Sequence, residues 1–129
     1  MSNAPSLVFD IVESPLHPDL AALCAELKLE HRAFSQQRKA MAAMKKQPPD
    51  YVVGDFYYGY GNNYAGANIS NLDVLLRSVQ RFAPTARIIV LAEPSERPHL
   101  GKLAALFSLH ATIDLPADPA QLRAALASD

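Results

Sequence analysis

Residues 48–55 read Pro48-Pro49-Asp50-Tyr51-Val52-Val53-Gly54-Asp55, an apolar run introduced by two prolines and closed by an acid. A run with no polar alternation suits a parallel strand covered on both faces. The prolines exclude a helix continuing into this segment. Asp55 therefore stands at the carboxyl end of a buried strand, where open α/β sheets place their chemistry. It is the candidate functional carboxylate, and the rest of the chain is read outward from it.

Upstream, Leu7 to Val12 is an apolar run broken by Asp10 and reads as a first strand. Pro15, Pro18 and Asp19 open a helix, and Asp19 in its first turn suits the helix dipole. Leu20, Leu23, Cys24 and Leu27 recur at helical spacing. His31 to Phe34 is a short, weak strand. Ser35 is expected to cap a second helix with an apolar stripe of Ala40, Met41 and Met44.

Downstream, Phe56 to Ser70 is an aperiodic loop rich in Tyr, Gly and Asn. Long loops in compact domains are usually functional or mobile. Ser70 or Asn71 is expected to cap a helix through Leu72, Leu75, Leu76 and Val79. Arg87 to Leu91 is the strongest strand, apolar and β-branched. A loop with Pro94 and Pro98 leads to a helix through Leu100, Leu103, Leu106 and Phe107. Ala111 to Leu115 is a last strand, and Asp118-Pro119 opens a closing helix with Leu122, Ala125 and Leu126.

Strand and helix thus alternate five times along the chain, which implies an α/β fold: one parallel sheet with helices on both faces. Right-handed crossovers leave few topologies. The order 2-1-3-4-5 sets the carboxyl ends of the first and third strands side by side at the switch point. Glu13 and Asp55 are then neighbours. Residues 1–129 read as a single domain, with a flexible amino end at 1–6 and the loop at 56–70 as an insertion.

Composition removes several classes. The 129 residues suffice for one core, and half are hydrophobic, which argues against disorder. A net charge of −1 gives no electrostatic footprint for nucleic acid or anionic membrane. Lys39, Lys45 and Lys46 read as a solvated helix face. No apolar run approaches the roughly 18 residues of a membrane span, and the amino end lacks the pattern of a signal peptide. Cytoplasmic location is the expectation. Cys24, the one cysteine, reads as a small buried hydrophobe. His17, His31, His99 and His110 are scattered without metal-ligand spacing and read as structural or exposed. No nucleotide-binding glycine frame or nucleophile elbow is present, so the chain is not expected to be an enzyme.

Leu27 through Asp55 resembles the receiver domain of two-component response regulators, with Gln37-Arg38-Lys39-Ala40-Met41 and the segment ending at Asp55 as its best stretches. Pro84 to Leu91 is similar to the approach and fourth strand of that family. The likeness extends from about Leu7 to Leu126. It implies a flavodoxin-like fold, a phospho-acceptor at Asp55, Mg²⁺ held by Asp55 and an acid at Glu13, and a histidine kinase, phosphotransfer or output protein as partner.

The same resemblance exposes departures. Ser14 stands where a second acid is expected, Ala92 where a hydroxyl is expected, and Leu115 before Pro116 where a lysine is expected. Phosphoryl transfer relies on cations placed at developing charge. The expectation is therefore a degenerate, stand-alone receiver-like signalling domain acting through protein–protein interaction. It would hold Mg²⁺ weakly or not at all and accept little or no phosphoryl group. Two alternatives stand beside it. One is an atypical phospho-accepting receiver using Asp55. The other is a small-ligand-binding domain using the loop, with Tyr57, Tyr58, Tyr60, Asn62, Asn63 and Tyr64 as candidate ligand or partner contacts. A homodimer through the fourth and fifth helices is compatible with the sequence.

Overall fold

A computed structural model describes residues 5–59 and 70–127. Five strands run β1 (Leu7–Ile11), β2 (Glu30–Phe34), β3 (Tyr51–Asp55), β4 (Arg87–Ala92) and β5 (Ala111–Asp114). Between and after them lie α1 (Ala21–Glu26), α2 (Gln37–Lys46), α3 (Asp73–Phe82), a 3-10 turn (Pro94–His99), α4 (Leu100–Ala104) and α5 (Pro119–Ala127). The sheet has the order β2-β1-β3-β4-β5 and every pairing is parallel. This is the flavodoxin-like topology expected from the element order.

Alternation along each strand sorts the core into two halves, one on each face of the sheet. Leu7, Phe9, Ile11, Val52 and Val90 pack with Ala40 and Met44 of α2, Leu75, Leu76 and Val79 of α3, and Leu103 of α4. Val8, Tyr51, Val53, Ile89 and Leu91 pack with Cys24 of α1 and Leu122, Ala125 and Leu126 of α5. Asp10 shares its parity with Val8, and Asp55 shares its parity with Tyr51 and Val53. Both acids therefore emerge on the face covered by α1 and α5.

Gly54 falls on the opposite face, beneath the start of α3. A Cβ there would lie 3.0 Å from Leu72 Cδ2, so a small residue lets α3 approach β3 closely. Ser70 and Asp73 fix that approach. Ser70 Oγ accepts from the Leu72 amide at 3.1 Å, and Asp73 Oδ1 accepts from the Ser70 amide at 2.7 Å and its hydroxyl at 2.8 Å. This arrangement is like a capping box with Asp in the acidic position, except that the serine hydroxyl takes the amide two residues on rather than three.

Several boundaries differ from the sequence expectation. Ser35 does not cap α2, whose N-cap is the extended Gln36. The segment with Pro94 and Pro98, expected as a loop, forms a 3-10 turn, and the helix that follows runs only from Leu100 to Ala104. Leu106, past the end of that helix, is exposed, whereas Leu103 and Phe107 are buried. Leu115 lies just past β5, yet its amide still bonds Ala92 O at 2.8 Å.

The faces of α3 give a stability test. Leu75 is fully buried and Val74 is 49% exposed. Leu75→Ala should lower unfolding free energy by about 2–5 kcal/mol, because it opens a core cavity. Val74→Ala should change it by less than about 0.5 kcal/mol. Urea titration of both variants checks the pair; equal losses would contradict this helix orientation.

Candidate functional site

The site lies at the carboxyl ends of β1 and β3, under the loop that joins β1 to α1. Ser14 shapes that loop. Its hydroxyl accepts from the Leu16 amide at 3.0 Å, and its carbonyl accepts from the His17 amide at 3.1 Å. The turn folds His17 back over the sheet end, where its side chain is 1% exposed.

Asp55 is buried and fully engaged. Its Oδ2 accepts the backbone amides of Glu13 at 3.0 Å and Ser14 at 2.9 Å. His17 Nδ1 lies 2.9 Å from Oδ1 and 2.8 Å from Oδ2 of the same carboxylate. The other ring nitrogen, Nε2, lies 2.5 Å from Asp10 Oδ1. His31 Nε2 meets the remaining Asp10 oxygen at 2.8 Å. The order is therefore His31, Asp10, His17, Asp55.

A neutral imidazole has one N–H and one acceptor nitrogen. Facing a carboxylate with both nitrogens calls for the doubly protonated ring. The electrostatics agree. Burial alone would depress the His17 pKa, but hydrogen bonds to Asp10 and Asp55, and the charges of both acids, raise it to about 9. His17 is thus a cation at neutral pH, held between two anions.

Glu13 adjoins the cluster, as the strand order required. Its Oε1 accepts from Asn71 Nδ2 at 3.0 Å and Gln37 Nε2 at 3.1 Å. Asn71 ties three segments together: Nδ2 also donates to Asp55 O at 2.6 Å, and Oδ1 accepts from the Tyr57 amide at 2.7 Å. Partial burial raises the Glu13 pKa, the two amide hydrogen bonds oppose this, and the Asp55 charge adds to the rise.

The donor set does not fit Mg²⁺. That ion demands octahedral oxygen ligands, usually one or two carboxylates with water and phosphate. Here the Asp55 carboxylate faces an imidazolium and two amides, and Glu13 faces two amide NH₂ groups. Among the described residues, no group of three or more His, Cys, Asp and Glu is placed to hold a metal ion.

The other sequence candidates are placed as follows. The Ser14 hydroxyl is committed to its own turn, and only its backbone amide reaches Asp55. Ala92 and Leu115 are buried apolar residues near the strand ends. Tyr57 is held through its amide by Asn71. Tyr58 stacks on His99 with ring centroids 3.8 Å apart, accepts from Lys102 Nζ at 2.9 Å, and donates its amide to Glu96 at 2.8 Å. Tyr60, Asn62, Asn63 and Tyr64 lie outside the described residues.

His17 is the site residue that sequence spacing set aside. A search for helical or metal-ligand pairs cannot find it, because its partners sit on two different strands. Strand parity offered a weaker signal. His31 registers with Val8, so it shares a face with Asp10.

The ion cluster makes stability depend on pH. The folded His17 pKa is about 9, raised from the ordinary 6.5 of a histidine. Between those values the native state holds a proton that the unfolded state has lost. The stabilisation is complete below about pH 6.5 and disappears as pH rises through about 9. Its size is of the order of 3 kcal/mol, since one pKa unit is about 1.4 kcal/mol. Urea titrations across this window should show stability falling with pH, and His17→Gln should remove most of the fall. A wild-type curve flat through the window would contradict the cluster.

No family model matches the sequence, and no curated protein matches it. Solved structures do. A response regulator receiver domain from Clostridium thermocellum superposes with a TM-score of 0.69 at 16% identity, covering 95% of this chain and 91% of that one. The receiver domain of an HD domain-containing protein from Pseudomonas fluorescens gives 0.69 at 16%, over 95% and 90%. A structure described as "a novel family of redox sensors in the streptococci evolved from two-component response regulators" gives 0.71 at 12%, over 94% of this chain. The present chain spans about half that protein, 49% of its length. The chain has the receiver-domain fold.

Proposed function

We propose that this is a degenerate receiver-like signalling domain that acts through protein–protein interaction and does not turn over a phosphoryl group on Asp55. The observation that carries the reading is the His17 ring seated between Asp10 and Asp55. Phosphoryl transfer to a carboxylate needs a free nucleophilic oxygen and cations that neutralise the incoming phosphate. Both oxygens of Asp55 already have partners, and the nearby cation is a fixed part of the protein. Displacing His17 would leave buried charges unpaired, at a cost of about 3–5 kcal/mol. That corresponds to a penalty of roughly a hundred- to a few thousand-fold on any competing phosphoryl or metal complex.

The streptococcal redox sensors described as evolved from response regulators offer a parallel in which the fold outlives its original input. Cys24 does not support a redox input through a thiol in this chain. Cys24 is fully buried, and burial, with the Asp10 charge adding to it, pushes its thiol up to about 11. Low-pKa, accessible thiols are the reactive ones. Input by partner binding fits the loops around the cluster better, since Val12 and Leu16 expose apolar surface beside it.

Acetyl phosphate or beryllofluoride with Mg²⁺, read by intact mass and amide spectra, tests the reading. The expected result is no stoichiometric adduct and no shift at the Glu13 and Ser14 amides. A stoichiometric adduct on Asp55 would establish the atypical phospho-accepting receiver instead. Asp55→Asn supplies a second arm. In a phospho-acceptor it removes the chemistry with little effect on the fold. Here it should reduce unfolding free energy by about 3–5 kcal/mol, as expected when one partner of a buried ion pair is lost. Urea titration at neutral pH gives that number.

A further inference from the structure

Asp10 holds a histidine on each of its oxygens, and this extends the cluster to the sheet edge. Asp10 is 2% exposed. His17 and Asp55 are equally shielded, with side chains 1% exposed. The His31 side chain, on the edge strand β2, is 19% exposed and is the member that meets water. An unbroken chain of hydrogen bonds therefore runs from the edge strand through Asp10 and His17 to Asp55, and from Asp55 to the amides of Glu13 and Ser14.

Among the described residues, the other charged and titratable groups around it are few. Glu13 acts on His17 from the loop after β1. Cys24, on α1, lies close enough to feel the Asp10 charge, but its thiol is neutral below about 11. Arg32, the neighbour of His31 along β2, sits over the Phe9 and Phe34 rings, on the other face of the sheet.

We propose that His31 is the proton port of a latch: its charge, passed through Asp10, tunes how firmly His17 holds Asp55 and the Glu13–Ser14 loop. Asp10 carries a single negative charge for two rings. When His31 gains a proton, its cation draws on that charge and repels His17. When His31 loses the proton, Asp10 serves His17 alone and the latch tightens. The loop that responds carries Val12, 37% exposed, and Leu16, 43% exposed, so the latch acts on an apolar surface available to a partner. The proposal goes beyond the reading of Asp55 as a non-acceptor and does not depend on it.

The test is a titration of the isotope-labelled full chain by NMR, without Mg²⁺ or phosphodonor, from about pH 5 to 8. The Glu13 and Ser14 amides should move together with the His31 ring, while the His17 ring stays doubly protonated. His31→Gln should abolish that step completely and leave the fold intact. Asp10→Asn should uncouple the two rings; where it fails to fold, His31→Gln decides alone. Amides that do not move, or that move with the same midpoint in His31→Gln, would overturn the proposal, as would a His17 ring that is neutral in this range. Phosphorylation of Asp55 in the separate experiment above would leave this result untouched, so the two readings fail independently.

Discussion

A cationic ring buried between two carboxylates governs the carboxyl end of this sheet. Two acids of like charge, Asp10 and Asp55, sit on one face of neighbouring strands with almost no solvent to screen them. Left alone they would repel. His17 supplies a positive charge between them. The group still carries excess negative charge, which the amides of Glu13 and Ser14 and the ring of His31 absorb. Buried ion pairs are weak evidence for stability by themselves, because desolvation offsets their attraction. What they enforce is completeness. Removing His17 leaves both acids buried without their counter-charge, and removing either acid leaves the imidazolium short of a partner.

The sheet order is what allows the cluster to close. β1 is flanked by β2 and β3, so an acid on β1 can reach partners from both neighbours. Asp10 meets His31 from β2 on one side and, through His17, Asp55 from β3 on the other. The 2-1-3-4-5 topology also brings the loop after β1 directly over the end of β3, which is where Glu13 and Ser14 find Asp55. On the far face, Gly54 lets Leu72 settle against β3, and the Ser70–Asp73 box locks the start of α3. Asn71, one residue into that turn, then reaches back to Glu13 and to Asp55 O. Both faces of the sheet thus converge on the same few residues.

The fold was legible because it is written in local signals. The apolar runs at Leu7, Tyr51 and Arg87, the prolines between elements, and the helical spacing of Leu72, Leu75, Leu76 and Val79 each specify a strand or helix without reference to the others. The adjacency of Glu13 and Asp55 followed from topology alone. The partners of Asp55 did not. His17 lies 38 residues from Asp55 in sequence, in a proline-flanked loop with no periodicity, and its role depends on a turn made by Ser14. Asp10 looked like an interruption of an apolar strand. It becomes intelligible only once His31, two strand positions back in register, is known to face it. The helix after β4 starts at Leu100 as the leucine spacing implies, but it ends at Ala104, short of Leu106 and Phe107.

An acid at the end of the third strand is the feature by which a receiver-like chain is first noticed, and here it has an adequate structural reason to be present. Asp55 accepts two backbone amides that fix the loop after β1, and it neutralises a buried imidazolium. Asn would keep the shape and part of the hydrogen bonding but would lose the charge that His17 requires. An aspartate can therefore be demanded at this position by the fold itself, with no phosphoryl chemistry to maintain it. The discriminating feature is the cation that faces the carboxylate. An exchangeable metal ion or a mobile lysine leaves room for an incoming phosphate. A histidine anchored by its own turn and by a second buried acid fills that room with protein. The departures at Ser14, Ala92 and Leu115 then read as a coherent set. On the reading proposed above, a counter-charge built into the loop takes the place that the second acid, the hydroxyl and the lysine would serve.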